Sequence, residues 1–143
     1  MSALELYMQK CIELAKIAKE RGDSPVGSIL VYNDEIIGEG IEAGKSSGDV
    51  TQHAEILAIQ DALQRGKSHL LHLSCLYTTH EPCIMCSYPI RHYKIPLIVY
   101  GLAVDHIGGH TSEFGVLTKE TVPLWGVAPY VMRGILAEKI RNL

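Results

Sequence analysis

Leu4, Tyr7, Met8, Cys11, Leu14, Ala15 and Ala18 recur at three- and four-residue spacing, and Glu5, Gln9, Lys10, Glu13, Lys16 and Lys19 fill the opposite face. That period predicts an amphipathic helix, with Gly22 placed to stop it. Asp23-Ser24-Pro25 reads as a turn. Val26 to Tyr32 is apolar and β-branched, a strand in which Gly27 is tolerated where another backbone packs close. Asn33-Asp34 makes a tight turn, and Glu35 to Ile41 returns as the second strand of a hairpin. Residues 43–51 are rich in Gly, Ser and Asp and read as a loop. A helix is predicted from Gln52 to Arg65, with Asp49 or Thr51 near its start and Gly66 at its end. Its apolar set is broad (Ala54, Ile56, Leu57, Ala58, Ile59, Ala62, Leu63), so deep burial is expected.

Leu73 to Thr79 reads as a third strand and Cys83 to His92 as a short helix, which Pro89 should kink or shorten. Leu97 to Tyr100 is a continuous apolar run, suited to a central parallel strand. Residues 102–122 show little periodicity and read as a loop with one helical turn. Val127 to Val131 suggests a fifth strand and Met132 to Asn142 a terminal helix. Neither repeat nor linker interrupts this order, which predicts a three-layer α/β/α architecture around a mixed sheet.

With 143 residues the chain fits one domain, residues 1–143. A formal net charge of −3 gives no bulk attraction to nucleic acid and leaves only a local basic patch for that purpose. No apolar run approaches the roughly 18 residues of a membrane span. The first residues lack the basic and apolar regions of a signal peptide, so the expected location is the cytoplasm, where structural disulfides are rare. The four cysteines then call for metal, catalysis or burial. A mean hydropathy of +0.11 points to a buried oligomer interface, a homodimer or larger.

Two segments carry chemistry: His53-Ala54-Glu55 and Pro82-Cys83-Ile84-Met85-Cys86. Each falls at a predicted helix start. Cys83 and Cys86 are three apart, so one helical turn puts both sulfurs on one face. The positive end of a helix favours thiolates, and thiolates bind zinc. One His and two Cys make three protein ligands, and three leave a position open for water, whose pKa zinc lowers to about 7. Glu55, two residues from His53, faces away from it and is placed to move protons rather than to ligate. Alone, the Cys pair also reads as a redox couple or half of a four-ligand site, and His53 as a packing or capping residue. Together and in this order, H-x-E then P-C-x-x-C is the signature of zinc nucleobase deaminases.

The chain resembles the cytidine deaminase superfamily, nearest the branch of tRNA adenosine, guanine and fungal-type cytosine deaminases. The likeness lies in Ser24-Pro25-Val26-Gly27, Ile37-Gly38-Glu39-Gly40, Thr51-Gln52-His53-Ala54-Glu55, Leu76 through Cys86, Ile98-Val99-Tyr100-Gly101 and Gly134-Ile135-Leu136-Ala137-Glu138. It implies a five-stranded sheet flanked by helices, a dimer or larger, and hydrolytic loss of ammonia. It also implies one Zn2+ per chain on His53, Cys83 and Cys86, and Glu55 as the proton shuttle.

The departures bear on substrate. That branch typically has Asn two residues after the second-strand Gly, where it contacts the base; here Glu42 stands there. An ionised carboxylate only accepts hydrogen bonds, so a pocket-facing Glu42 wants N–H groups, as on guanine or an amino-substituted pyrimidine or triazine. The other reading of Glu42 is an exposed loop residue. Tyr88-Pro89 replaces the small residues usual after the second Cys. Asp105 matches a loop Asp of the tRNA branch, and Phe114 is placed to close over an aromatic base or to form a small satellite core. His106 and His110 are weaker pocket candidates. His69 and His72 have no partners to complete a metal site, and Cys11 and Cys75 read as buried thiols.

The expected function is therefore zinc-dependent hydrolytic deamination of a small aminated nucleobase or related amino-heterocycle, guanine- or cytosine-like. The alternative is tRNA adenosine-to-inosine deamination; the net charge, the missing Asn and the lack of an extended basic tail speak against it. A catalytically inactive zinc-stabilised binding domain is the third reading, opposed by the intact Glu55.

Overall fold

The computed structural model describes residues 1–143. Ser2 opens the first helix with a reciprocal cap: its Oγ accepts the Glu5 amide at 3.2 Å, and the Glu5 carboxylate accepts the Ser2 amide at 3.1 Å. The helix, α1, runs from Ala3 to Glu20 and buries Met8, Cys11, Leu14, Ala15 and Ala18, the periodic positions of the sequence. Strands β1 (Gly27–Tyr32) and β2 (Glu35–Ile41) form the expected hairpin. Asn33 and Asp34 both take positive φ, 49° and 63°, which gives the two-residue turn the twist that strands favour. A Cβ on Gly27 would overlap the backbone of α1 at Cys11 and Ala15, so the missing side chain is what lets α1 lie on the sheet.

Helix α2 (Gly44–Ser47) is a single turn inside the segment expected to be irregular. It is held by the buried Asp23, which accepts the amides of Lys45 and Ser46 at 3.0 and 2.8 Å and the Ser46 hydroxyl at 2.6 Å. Helix α3 (Ala54–Gln64) starts two residues later than the sequence suggests. Asp49 and Thr51 do not cap it, because they bond each other: the Thr51 amide and hydroxyl donate to Asp49 Oδ1 at 2.9 and 2.7 Å. A 3-10 turn (Ser68–Leu73) delays strand β3 to Cys75–His80.

Helix α4 (Ile84–His92) runs through Pro89 to its expected end at His92, so the proline does not shorten it. Proline forfeits one amide there, and the buried Ile90 and Arg91 beyond it hold the last turn in place. Strand β4 (Leu97–Leu102) follows. The fifth strand, β5, is confined to Tyr130–Met132, behind a 3-10 turn at Pro123–Trp125. The terminal helix shrinks to α5 (Ala137–Arg141), because Gly134 and Leu136 take left-handed φ of 82° and 53° just before it.

The sheet order is β2-β1-β3-β4-β5, with β1 antiparallel to β2 and β3, and β4 parallel to β3 and β5. β4 is the central parallel strand that its apolar run predicts. Side-chain alternation divides the core. Leu30, Leu76 and Ile98 pack with Ala58, Ile59 and Ile90 of α3 and α4. Ile29, Tyr77 and Val99 pack with Met8, Cys11 and Leu14 of α1 and Ile140 of α5. This is the three-layer α/β/α arrangement with a mixed five-stranded sheet. No helix is long and apolar enough to cross a membrane.

Candidate metal centre and active site

Gly40 brings α3 onto β2 so closely that a Cβ there would overlap the Ala54 carbonyl; Gly38 does the same one turn further along, at Ala58. The first residues of α3 are thereby fixed beside the carboxyl end of β3, where the chain passes through Glu81-Pro82 into α4. His53 is the N-cap residue of α3 and Cys83 that of α4, and neither side chain serves its own helix as a cap. Both are free to turn toward the gap between the helix ends.

They meet there with Cys86. His53 Nδ1 lies 3.5 Å from each sulfur, and the sulfurs are 3.7 Å apart. Tetrahedral coordination, with bonds of about 2.3 Å to sulfur and about 2.05 Å to nitrogen, requires edges of about 3.8 Å between sulfurs and about 3.6 Å from sulfur to nitrogen. The three donors thus stand at the separations of one tetrahedral face, and their chemistry suits zinc. The hydrogen bond between the two sulfurs divides them: more than any other cause it holds Cys83 down at about 4, and it pushes Cys86 up. His53 is raised to about 9, first by its hydrogen bond to Cys83. His53, Cys83 and Cys86 would hold a zinc ion on this face, and such an ion would make hydroxide available at neutral pH.

A cavity of about 250 Å3 opens beside this face, lined by Ser24, Val26, Glu42, His53, Glu55, His80, Glu81, Cys83, Val104 and Ile107. Its size suits a single small ring system. No lysine or arginine lines it, and three carboxylates do. Glu55 is buried on α3, and burial lifts its pKa to about 7. Glu42, at the end of β2, is half-buried on the cavity wall rather than loose in solvent. Its Oε1 accepts the Ala54 amide at 3.2 Å and its Oε2 the Gly44 amide at 3.3 Å, so it also caps α3 in place of His53. Burial raises its pKa.

Glu81 holds the opposite wall. Its buried carboxylate accepts the amides of Val104, His110 and Thr111 at 2.8, 2.8 and 2.7 Å, and the Thr111 hydroxyl at 2.6 Å. These bonds bring Val104 and Ile107 against the site. Gly108 leaves room for the carboxylate, since a Cβ there would overlap it. Arg91 of α4 fastens the chain that follows. Its buried guanidinium donates to the carbonyls of Val116, Lys119 and Gly126 at 2.9, 2.6 and 3.2 Å and lies 5.1 Å from the centre of the Trp125 ring.

Five of the residues singled out from the sequence come together here: His53, Glu55, Cys83, Cys86 and Glu42. Asp105 and Phe114 do not line the cavity: both are exposed, Asp105 between the lining residues Val104 and Ile107. His106 is exposed, and His110 pairs with Tyr100 Oη at 3.1 Å. Cys11 is buried within the α1 face of the core, and Cys75 lies half-buried on β3. Sequence reasoning missed His80 as a wall residue. Its position immediately before Glu81-Pro82-Cys83, at the end of the strand that delivers them, was the available signal.

Residues 1–102 match the family described as the cytidine and deoxycytidylate deaminase zinc-binding region. Among curated relatives, tRNA-specific adenosine deaminase 2 of Danio rerio is 33% identical over 144 residues, which span 96% of this chain and 67% of the relative. A solved structure from work on tRNA deaminases that edit A to I at the wobble position superposes with a TM-score of 0.85 at 29% identity, covering 95% of this chain and 96% of that one. Guanine deaminase of Bacillus subtilis superposes with a TM-score of 0.66 at 31% identity, covering 72% and 66%.

Proposed function

The chain belongs to the zinc-binding cytidine and deoxycytidylate deaminase family, and from that premise we propose that it hydrolyses the amino group from a small aminated nucleobase or related amino-heterocycle, guanine-like first, releasing ammonia. In this reading His53, Cys83 and Cys86 hold one zinc ion. Glu55, held near neutrality by burial, takes one proton from the attacking water and delivers it to a ring nitrogen, then carries that water's second proton to the departing amine. The observation that carries the substrate is Glu42. Both its oxygens already accept backbone amides, as an ionised carboxylate would, and their remaining lone pairs seek N–H donors on the ring. Guanine offers N1–H. An adenosine offers no N–H beyond the amine being removed.

A second reading, tRNA adenosine deamination, is favoured by the similarity to tRNA deaminases along nearly the whole chain. Such an enzyme must extrude its base into the same cavity and hold the phosphates around it. The cavity itself has no basic lining, and Lys45 stands in the adjoining cleft. Exposed Leu124, Val127 and Tyr130 support the expectation of a homodimer or larger assembly.

Ammonia release by the zinc-loaded protein, with Glu55→Ala as blank, tests both readings across guanine, cytosine, adenine, their nucleosides, amino-triazines and unmodified tRNA. Release from a free base supports the first reading, with Glu42→Gln shifting the preference toward bases with fewer N–H groups. Release from tRNA alone overturns it in favour of the second.

A further inference from the structure

His80 stands on the cavity wall with one ring nitrogen engaged and the other free. Its Nδ1 lies 2.9 Å from Thr79 Oγ1, and Thr79 is fully buried. The only other hydrogen-bond partner of that hydroxyl is the Gly27 amide, which donates to it at 3.3 Å. An amide cannot accept, so the hydroxyl proton has one acceptor within reach, Nδ1. In a neutral imidazole with Nδ1 accepting, Nε2 carries the hydrogen. Burial holds the ring below its ordinary pKa of 6.5, in keeping with the neutral form. Nε2 has no partner in the protein, yet no buried side-chain nitrogen or oxygen is left unpaired. Nε2 is therefore accessible rather than buried, and the residue that carries it lines the cavity.

We propose that His80 is a specificity-determining residue whose Nε2–H donates to an acceptor on the substrate ring, a carbonyl oxygen or an unprotonated ring nitrogen. It complements Glu42, which offers only acceptors. The two residues select a ring carrying an N–H edge and an acceptor besides the amine that leaves, an amide-like amino-heterocycle. This rests on the base-binding reading of the cavity.

The ring itself is tested without turnover. The imidazole nitrogen-15 spectrum of the zinc-loaded protein, assigned against His80→Gln, is expected to show His80 protonated at Nε2; protonation at Nδ1 overturns the proposal. Recognition is then measured by equilibrium binding in the Glu55→Ala protein, with guanine, 6-thioguanine (a weak acceptor at position 6) and 7-deazaguanine (no acceptor at position 7). His80→Leu is expected to weaken guanine about tenfold, the worth of one hydrogen bond. For one of the two analogues the loss shrinks below about twofold, because the atom addressed is already missing. His80→Gln, which keeps an N–H near the same place, recovers part of the affinity. An equal loss on all three bases, no loss on any, or no binding of any of them overturns it. Zinc content equal to that of the parent shows that each variant keeps its site. Failure of ammonia release with the binding pattern intact instead overturns the deaminase substrate and leaves the His80 contact standing.

Discussion

Gly40 and Ala54 touch with no room for a side chain between them: the α-carbon of one faces the carbonyl of the other, and α3 begins at that contact. His53 sits one residue before it and Glu55 one residue after, so the contact sets where ligand and proton shuttle stand. Gly40→Ala is therefore expected to push the start of α3 off the sheet. Overpacking of this kind costs about 1–3 kcal/mol. Denaturant titration should show that loss, and metal analysis should show less zinc retained at a fixed chelator concentration.

Metal binding itself is expected at one zinc per chain. A Cys83→Ala, Cys86→Ala double variant should purify without it, and its melting temperature should no longer respond to added zinc. Metal analysis that still finds zinc in the double variant would show that the ion is held elsewhere.

The thiols should divide into two classes. Burial pushes the Cys75 thiol up to about 12 and the Cys11 thiol up as well, so neither is a thiolate at neutral pH. In folded, zinc-loaded protein a thiol reagent is expected to find no fast-reacting cysteine. Chelation should expose the Cys83–Cys86 pair alone, and denaturation all four. Mass mapping of the modified peptides checks the assignment.

Glu55→Ala is expected to keep zinc while turnover falls by about 10²–10⁴-fold, the usual contribution of a positioned proton-transfer group. Metal content and ammonia release on the same sample separate the two effects. Turnover that survives the substitution rules Glu55 out as the shuttle.

The fold was largely legible because its elements are long and their apolar periods clear. α1, the hairpin and β4 follow from alternation and three-to-four spacing alone. The candidate zinc ligands were legible because each lies at the N-cap or in the first turn of a helix, so spacing and chemistry coincide. What escaped depends on partners remote in sequence. Asp23 orders α2 across 22 residues, and Asp49 bonds Thr51 instead of the helix that follows. Likewise, the pairing of Thr79 with His80 means nothing until the Gly27 amide is known to share the hydroxyl. Asp105 illustrates the converse: it lies between two wall residues in sequence, yet the turn of the loop leaves it in solvent.

Asp23 predicts a dependence on acidity. The Ser46 hydroxyl bond, more than any other cause, holds the Asp23 carboxyl below its ordinary 3.8. A folded value below the unfolded one means that the carboxylate contributes its full stabilisation above about pH 3.8 and loses it as the pH falls through the folded value. Asp23→Asn should flatten that acid limb, and amide exchange at Lys45 and Ser46 should be faster in the variant at neutral pH.

The two sides of the site are fastened unequally. Four hydrogen bonds to one buried carboxylate tie down the Val104–Thr111 segment that carries one rim. On the other side, residues 44–50, which border the adjoining cleft, form a single helical turn and an exposed loop moored at Asp23. Lifting that segment breaks the three bonds to Asp23 and the bond from the Gly44 amide to Glu42, and α2 itself buries no residue. The Gly44–Gly48 side is thus the more lightly fastened of the two, and substitution of Asp23 is expected to change how fast ligands exchange before it changes how the ring reacts.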